Sequence, residues 1–127
     1  MSRSTQRTLI RAAAPVVWMA LIFAASATPD LSTGLGLWDF IGRKIVHALS
    51  FGILAWLWFW SLRGTIARPI LVAATISVLY AISDEYHQSF VHGRHGTPRD
   101  VLIDCVGIAV VALLARSRGR ARASRNR

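Results

Sequence analysis

Residues Ile45 to Leu62 read IVHALSFGILAWLWFWSL, an uninterrupted run in which His47 is the only ionisable side chain. A helix of about 20 predominantly apolar residues is long enough to cross the hydrocarbon core of a bilayer. Trp56, Trp58 and Trp60 gather near the end of the run, and indole rings favour the interface between membrane and water. This stretch therefore predicts a membrane-spanning helix.

The composition of the whole chain points the same way. Of its 127 residues, 54% are hydrophobic, and the mean hydropathy is +0.44. A water-soluble fold of this length does not have the interior volume to hide so much apolar surface. A single cysteine, Cys105, excludes an intramolecular disulfide bond.

Further apolar runs flank this stretch, and they predict an all-α membrane protein of four transmembrane helices. A turn-rich loop, Pro29 to Gly42, follows the first run, and glycine and proline near Val91 to Pro98 indicate another. We expect a basic N-terminal flank over 1–11, a membrane domain over 12–115 and a disordered arginine-rich tail over 116–127. The predicted helices cover residues 12–28, 45–62, 69–88 and 100–115.

The first apolar run admits a second interpretation. Basic residues, a short apolar segment and the sequence Ala25-Ser26-Ala27 are also typical of a secretory signal that is cleaved after a small residue. The orientation of the remaining chain is the same under both interpretations.

The distribution of basic residues predicts the orientation. Four spans place both termini on one side, with eleven arginines there and only Arg43, Lys44, Arg94 and Arg99 on the other. Basic residues are enriched on the cytoplasmic side of membrane proteins, so we expect both termini in the cytoplasm of a multi-pass protein of the bacterial cytoplasmic (inner) membrane. The tail would contact anionic lipid. It lacks aromatic residues and a binding fold, so nucleic acid is not an expected partner.

Ionisable residues concentrate between Ser83 and Gly107. Helical spacing places Tyr80, Asp84, His87 and Gln88 on one face of the third helix. The same spacing groups Asp100, Asp104 and Gly107 on the fourth helix, and Lys44, His47, Phe51 and Leu54 on the second. Because uncompensated charge in a bilayer is costly, these groups should pair with one another around a polar cavity that opens outward.

Several roles fit this cluster. Lys44, Arg94 and Arg99 could neutralise the acids in a purely structural network. His47 or His87 could act as a general base beside Asp84 or Glu85. A metal site of His87, His92 and His95 with a carboxylate lacks a recognised motif, so neither a metal nor another cofactor is predicted. Binding of a polar or anionic molecule needs only a cavity and fixed donors.

Three segments resemble the VanZ-like family of small bacterial membrane proteins. They begin at Lys44 (KIVHALSFGIL), at Asp84 (DEYHQSFVHGR) and at Asp100 (DVLIDCVG), and Trp18 to Pro29 is similar to the first helix of that family. His92 stands where the family commonly has proline before the Gly-Arg pair. The resemblance implies a four-helix integral membrane protein, and founding members are linked to low-level resistance to glycopeptides of the teicoplanin type.

These observations together predict an accessory or binding protein of the cell envelope. The alternatives are a membrane-embedded enzyme acting on a lipid-linked or cell-wall substrate, and a structural subunit; enzyme activity stays open. The expected ligand is a lipid headgroup or a cell-wall precursor. In the predicted site, Lys44 and Arg94 supply positive charge and the acids position them. Its members are Lys44, His47, Asp84, Glu85, Gln88, Arg94, Asp100 and Asp104.

Overall fold

The computed structural model describes residues 3–29 and 33–125 and is helical throughout its regular parts. The helices are α1 (Arg3–Ala27), α2 (Leu37–Leu62), α3 (Pro69–Gln88) and α4 (Pro98–Arg125). No strand occurs in these ranges. The all-helical part of the fold prediction is therefore confirmed, in the predicted order.

The ends of three helices differ from the predicted ones. Only α3 begins and ends at the predicted residues, and Pro69 suits its first turn because proline has no N–H to leave unpaired. Helix α1 begins nine residues earlier than expected, at Arg3, and α2 begins at Leu37 rather than residue 45. Hydropathy marks where a helix is apolar, whereas backbone hydrogen bonds extend α1 through a polar segment and α2 through a mixed one.

The C-terminal tail also differs from the prediction. Disorder was expected over 116–127, but α4 continues to Arg125, and residues 126–127 lie outside the described ranges. Alanine and arginine have high helix propensity, so an established helix extends through them at little cost. The guanidinium of Arg118 lies 5.7 Å from the centre of the Trp56 ring, which anchors the first turn of this extension.

Helix α2 lies at the centre and packs against the three other helices. Helices α2 and α4 run parallel and approach closely at Gly52 and Gly107. A Cβ atom on Gly107 would overlap the backbone carbonyl of Ala48, and one on Gly52 would lie 3.2 Å from the carbonyl oxygen of Gly107. Small residues at a helix crossing allow backbones to meet in this way, as is common within membranes.

The interior and the exterior of the bundle have unusual compositions. Apolar side chains such as Leu79 on α3 and Leu102 on α4 are more than 60% exposed, whereas Asp84, Glu85 and Asp104 are buried. Buried acids beside an apolar core, together with so many exposed large apolar side chains, are uncommon in a water-soluble fold. Two segments of the described chain, Leu9–Ala27 and Leu37–Leu62, are long and apolar enough to span a membrane.

Candidate functional site

Two pairs of side chains join α2 to α4 on the N-terminal side of the point where these helices cross at Gly52 and Gly107. Lys44 Nζ donates to Asp100 Oδ1 in an ion pair. One turn along both helices, His47 Nδ1 lies 3.3 Å from Asp104 Oδ1. The helices are parallel, so the sequence steps from 44 to 47 and from 100 to 104 keep the two pairs in register.

A second polar group joins α1 to α3. The hydroxyl of Ser26 donates to Asp84 Oδ2 over 2.8 Å, and Gln88 Nε2 donates to the same oxygen over 2.9 Å. On the same face, Tyr80 donates its hydroxyl to the carbonyl of Met19 over 2.7 Å. The predicted face of α3 is thus the face that α1 covers.

Glu85 points away from that face, toward the loop between α3 and α4. Its side chain is buried, and Oε2 accepts the backbone N–H of Thr97 over 3.1 Å. Gly96 packs so closely on the carbonyl of Glu85 that a Cβ atom there would overlap it. The loop therefore covers the end of α3 and fixes the orientation of the Glu85 carboxylate.

Arg94 has different partners from those expected. Its Nε donates to the carbonyl of Thr28 over 2.8 Å, and its second guanidinium nitrogen donates to the carbonyl of Ala25 over 3.3 Å. These carbonyls lie in the last turn of α1 and one residue beyond it, where unpaired carbonyl groups and the helix dipole favour a cation. The prediction that acidic side chains position Arg94 is therefore wrong, because the hydrogen bonds of Arg94 go to backbone carbonyls. These carbonyls are neutral and do not cancel the charge of the guanidinium.

A cavity of about 540 Å³ lies between these groups. All four basic residues predicted for the outer side, Arg43, Lys44, Arg94 and Arg99, line it, together with His47 and Glu85 among others. Six of the eight predicted site residues therefore share one cavity; the other two, Asp84 and Asp104, lie in the protein behind it. Whether this cavity binds a ligand stays a prediction.

The histidines divide into two groups. The ring of His87 stacks on Phe23 with centroids 4.4 Å apart, and His92 and His95 are exposed in the loop. In residues 3–29 and 33–125, the set of side chains close enough to hold a metal ion is instead His47, Glu85 and Asp104, with ligand atoms within 4.8 Å of one another.

Sequence reasoning missed some functional partners. Ser26 was considered only as part of a possible cleavage site, although a hydroxyl at the end of an apolar helix is a signal for polar pairing within a bundle. The backbone N–H of Thr97 and the carbonyls of α1 carry no side-chain signature, so no residue pattern could have indicated them.

Comparisons with known proteins agree with the motifs. Residues 3–119 match the family model described as VanZ/LLP1. The chain is 38% identical over 102 residues to the uncharacterized membrane protein YwnJ of Bacillus subtilis, an alignment that covers 75% of this chain and 69% of that protein. No solved structure is a significant match.

Proposed function

This chain belongs to the VanZ/LLP1 family of membrane proteins, and on that premise we propose that it binds the phosphate-bearing headgroup of an envelope lipid or lipid-linked cell-wall precursor. The ligand enters the cavity lined by Lys44 and Arg94 from the outer side of the cytoplasmic membrane. In this role the protein is an accessory factor of the envelope and alters susceptibility to glycopeptides of the teicoplanin type.

Four membrane spans are part of this proposal. Helices α3 and α4 are not among the segments that are long and apolar enough by themselves to span a membrane, but their exposed faces carry Leu71, Leu79, Leu102 and Val106, while their acids point inward. Lipid favours that arrangement, because the apolar faces contact the acyl chains and the charges stay within protein.

Orientation can be tested by labelling single cysteines. With Cys105 replaced by alanine, Ser89→Cys reports on the loop end and Thr65→Cys on the turn between α2 and α3. We expect a membrane-impermeant maleimide to label the first variant in intact cells and the second only after permeabilisation. The reverse pattern would contradict an outward-facing cavity.

The charge of Arg94 is the observation that carries the binding proposal. Its hydrogen bonds go to neutral carbonyls, so the guanidinium brings a full positive charge to the cavity wall. The ion-paired Lys44 lines the same cavity. Phosphate oxygens accept hydrogen bonds from guanidinium groups with good geometry, which makes the cavity more suitable for an anionic than for a neutral headgroup.

Binding is tested with the purified protein in detergent. We expect phosphatidylglycerol and a polyprenyl diphosphate, titrated separately, to raise the thermal midpoint of the wild-type protein more than phosphatidylcholine does. Loss of a charge-assisted hydrogen bond in Arg94→Gln should weaken binding about tenfold or more. The control is Arg63→Gln, which removes an exposed arginine from the opposite end of α2 and should bind as the wild type does.

The two lipid probes distinguish the sources of the phosphate. Preference for the diphosphate would identify a cell-wall precursor, and preference for phosphatidylglycerol a membrane lipid. Equal response to phosphatidylcholine, or equal loss in both arginine variants, would contradict the proposal. In cells, a deletion strain complemented with Arg94→Gln should show the glycopeptide susceptibility of the deletion, at normal protein abundance.

A second candidate function is chemistry on the same ligand. It is favoured by the His47 imidazole, which lines the cavity and has the Asp104 carboxylate 3.3 Å behind it. A carboxylate in that position can orient an imidazole as a general base. Lipid mass spectrometry of cells expressing the wild type or His47→Gln should then show a difference in headgroup composition, whereas a binding protein leaves the composition unchanged.

A further inference from the structure

The carboxylate of Asp104 is the most deeply buried charge-bearing group of the described chain. Its exposed fraction is 0%, and neither Oδ atom accepts a hydrogen bond from any residue in the described ranges. His47 Nδ1 approaches Oδ1 but also lacks a hydrogen bond, because its geometry is unfavourable. Burying a carboxylate without donors is costly, so such a group is expected to have a counter-charge.

Lys44 and Arg94, the two cations of the predicted site, pair with other groups. Lys44 pairs with Asp100, one turn before Asp104 on α4. Arg94 donates to the carbonyls of α1. The imidazole of His47 and the carboxylate of Glu85 lie close to Asp104 instead, which brings together three metal-ligating side chains from three different helices.

From this geometry we infer that His47, Glu85 and Asp104 bind a divalent transition-metal cation, of which Zn²⁺ is the best match, at the floor of the cavity. One neutral imidazole and two carboxylates carry a charge that balances a dication. One nitrogen and two oxygen ligands with a further open position are typical of Zn²⁺ sites that take a water or a substrate oxygen as the fourth ligand.

The distances fit such a site after small side-chain adjustments. A tetrahedral ion with bonds of about 2.1 Å holds its ligand atoms roughly 3.4 Å apart. The three ligand atoms lie within 4.8 Å of one another, and His47 and Asp104 are already 3.3 Å apart. The hydrogen bond from the Thr97 N–H holds one oxygen of Glu85, as outer hydrogen bonds orient carboxylate ligands in metal sites.

An ion also has a path to this position. His47 and Glu85 line the cavity, whose mouth is open, whereas Asp104 lies behind them without contact with solvent. The site is thus reached from the cavity and closed on its far side, where α2 and α4 meet at Gly107.

Metal titration of the purified full chain tests this inference. The protein is prepared in detergent with a histidine-free affinity tag, stripped with EDTA and dialysed against Zn²⁺, and the bound metal is measured by inductively coupled plasma mass spectrometry. We expect about one Zn²⁺ per chain. Asp104→Asn and Glu85→Gln should each weaken binding about tenfold or more, since each replaces a charged ligand.

Matched controls separate this site from other histidines and carboxylates. His87→Gln removes the histidine that stacks on Phe23, and Asp39→Asn removes a carboxylate that accepts hydrogen bonds from Thr33. Both should retain full Zn²⁺ binding. Helical circular dichroism shows which variants fold; if Asp104→Asn does not, Glu85→Gln decides the result.

The outcomes that overturn the inference are direct. The inference is wrong if the wild-type protein binds no Zn²⁺. It is also wrong if the ligand variants bind as much Zn²⁺ as the wild type does. The titration contains no lipid ligand, and Arg94→Gln should bind Zn²⁺ normally. Failure of the metal site is therefore distinguishable from failure of headgroup binding. Bound Zn²⁺ would also occupy the imidazole that the enzymatic alternative uses as a base.

Discussion

The two ends of the bundle carry the same kind of residue in opposite arrangements. At the cavity end, Lys44 and Arg94 have specific partners and line the same cavity as the buried acids Glu85 and Asp100. At the tail end, the described arginines of α4 are exposed, and their resolved partner is an aromatic face, Trp56 beside Arg118. Net charge alone does not distinguish a site from a topology signal; fixed partners do.

Glycine positions on α4 should show the largest contrast between the ends. We expect Gly107→Val to destabilise the protein by about 3 kcal/mol or more, because its side chain meets the backbone of Ala48 and cannot be accommodated by a rotamer change. Gly119→Val is the matched control, since no atom lies within 4 Å of its Cβ position. Thermal or SDS-induced unfolding in detergent measures both, and equal effects would contradict the close crossing.

Removing the cation of the Lys44–Asp100 ion pair should have an intermediate effect on stability. Lys44→Met leaves Asp100 buried without its cation, which costs about 3–5 kcal/mol in a fully buried pair. The Lys44 side chain is 24% exposed, so we expect the lower end of that range or less. The double variant Lys44→Met/Asp100→Asn should recover stability, and a double variant less stable than Lys44→Met would show that the pair is not coupled.

The contact at the tail end should matter least. Arg118→Ala removes a cation–π contact at an exposed site, worth about 0.5 kcal/mol. Arg120→Ala is a neighbouring control on the same helix. Unfolding midpoints of the two variants should differ only slightly. A loss of stability in Arg118→Ala as large as that in Lys44→Met would contradict the difference between the two ends.

The sequence predicts the arrangement on α2, α3 and α4 well because helical spacing is rigid. The steps that place Asp100, Asp104 and Gly107 on one face are the steps by which these residues meet Lys44, His47 and Ala48. The same reasoning places Tyr80, Asp84 and Gln88 together, and the three contact α1 or one another. The period of the helix, rather than the hydropathy of the residues, predicted which side chains share a face.

Helix ends and cross-chain partners are less predictable for physical reasons. The polar start of α1, the mixed start of α2 and the arginine-rich end of α4 lie outside the apolar runs used for the prediction, yet their backbones are helical. The partner of Arg94 was mistaken because sequence shows charged side chains but not unpaired backbone carbonyls. Ser26 was overlooked because its partner, Asp84, lies 58 residues away.

The long sequence separation of these contacts has a consequence for biosynthesis. Lys44 and His47 lie on α2, and their partners Asp100 and Asp104 are translated 56 and 57 residues later. Helix α2 is apolar enough to enter a membrane before they exist, whereas α4 contains the buried acids and is not one of the two segments of the described chain that are long and apolar enough to span a membrane. We therefore expect insertion of α4 to depend on an already embedded α2, so that the cavity is completed only after α4 has been translated.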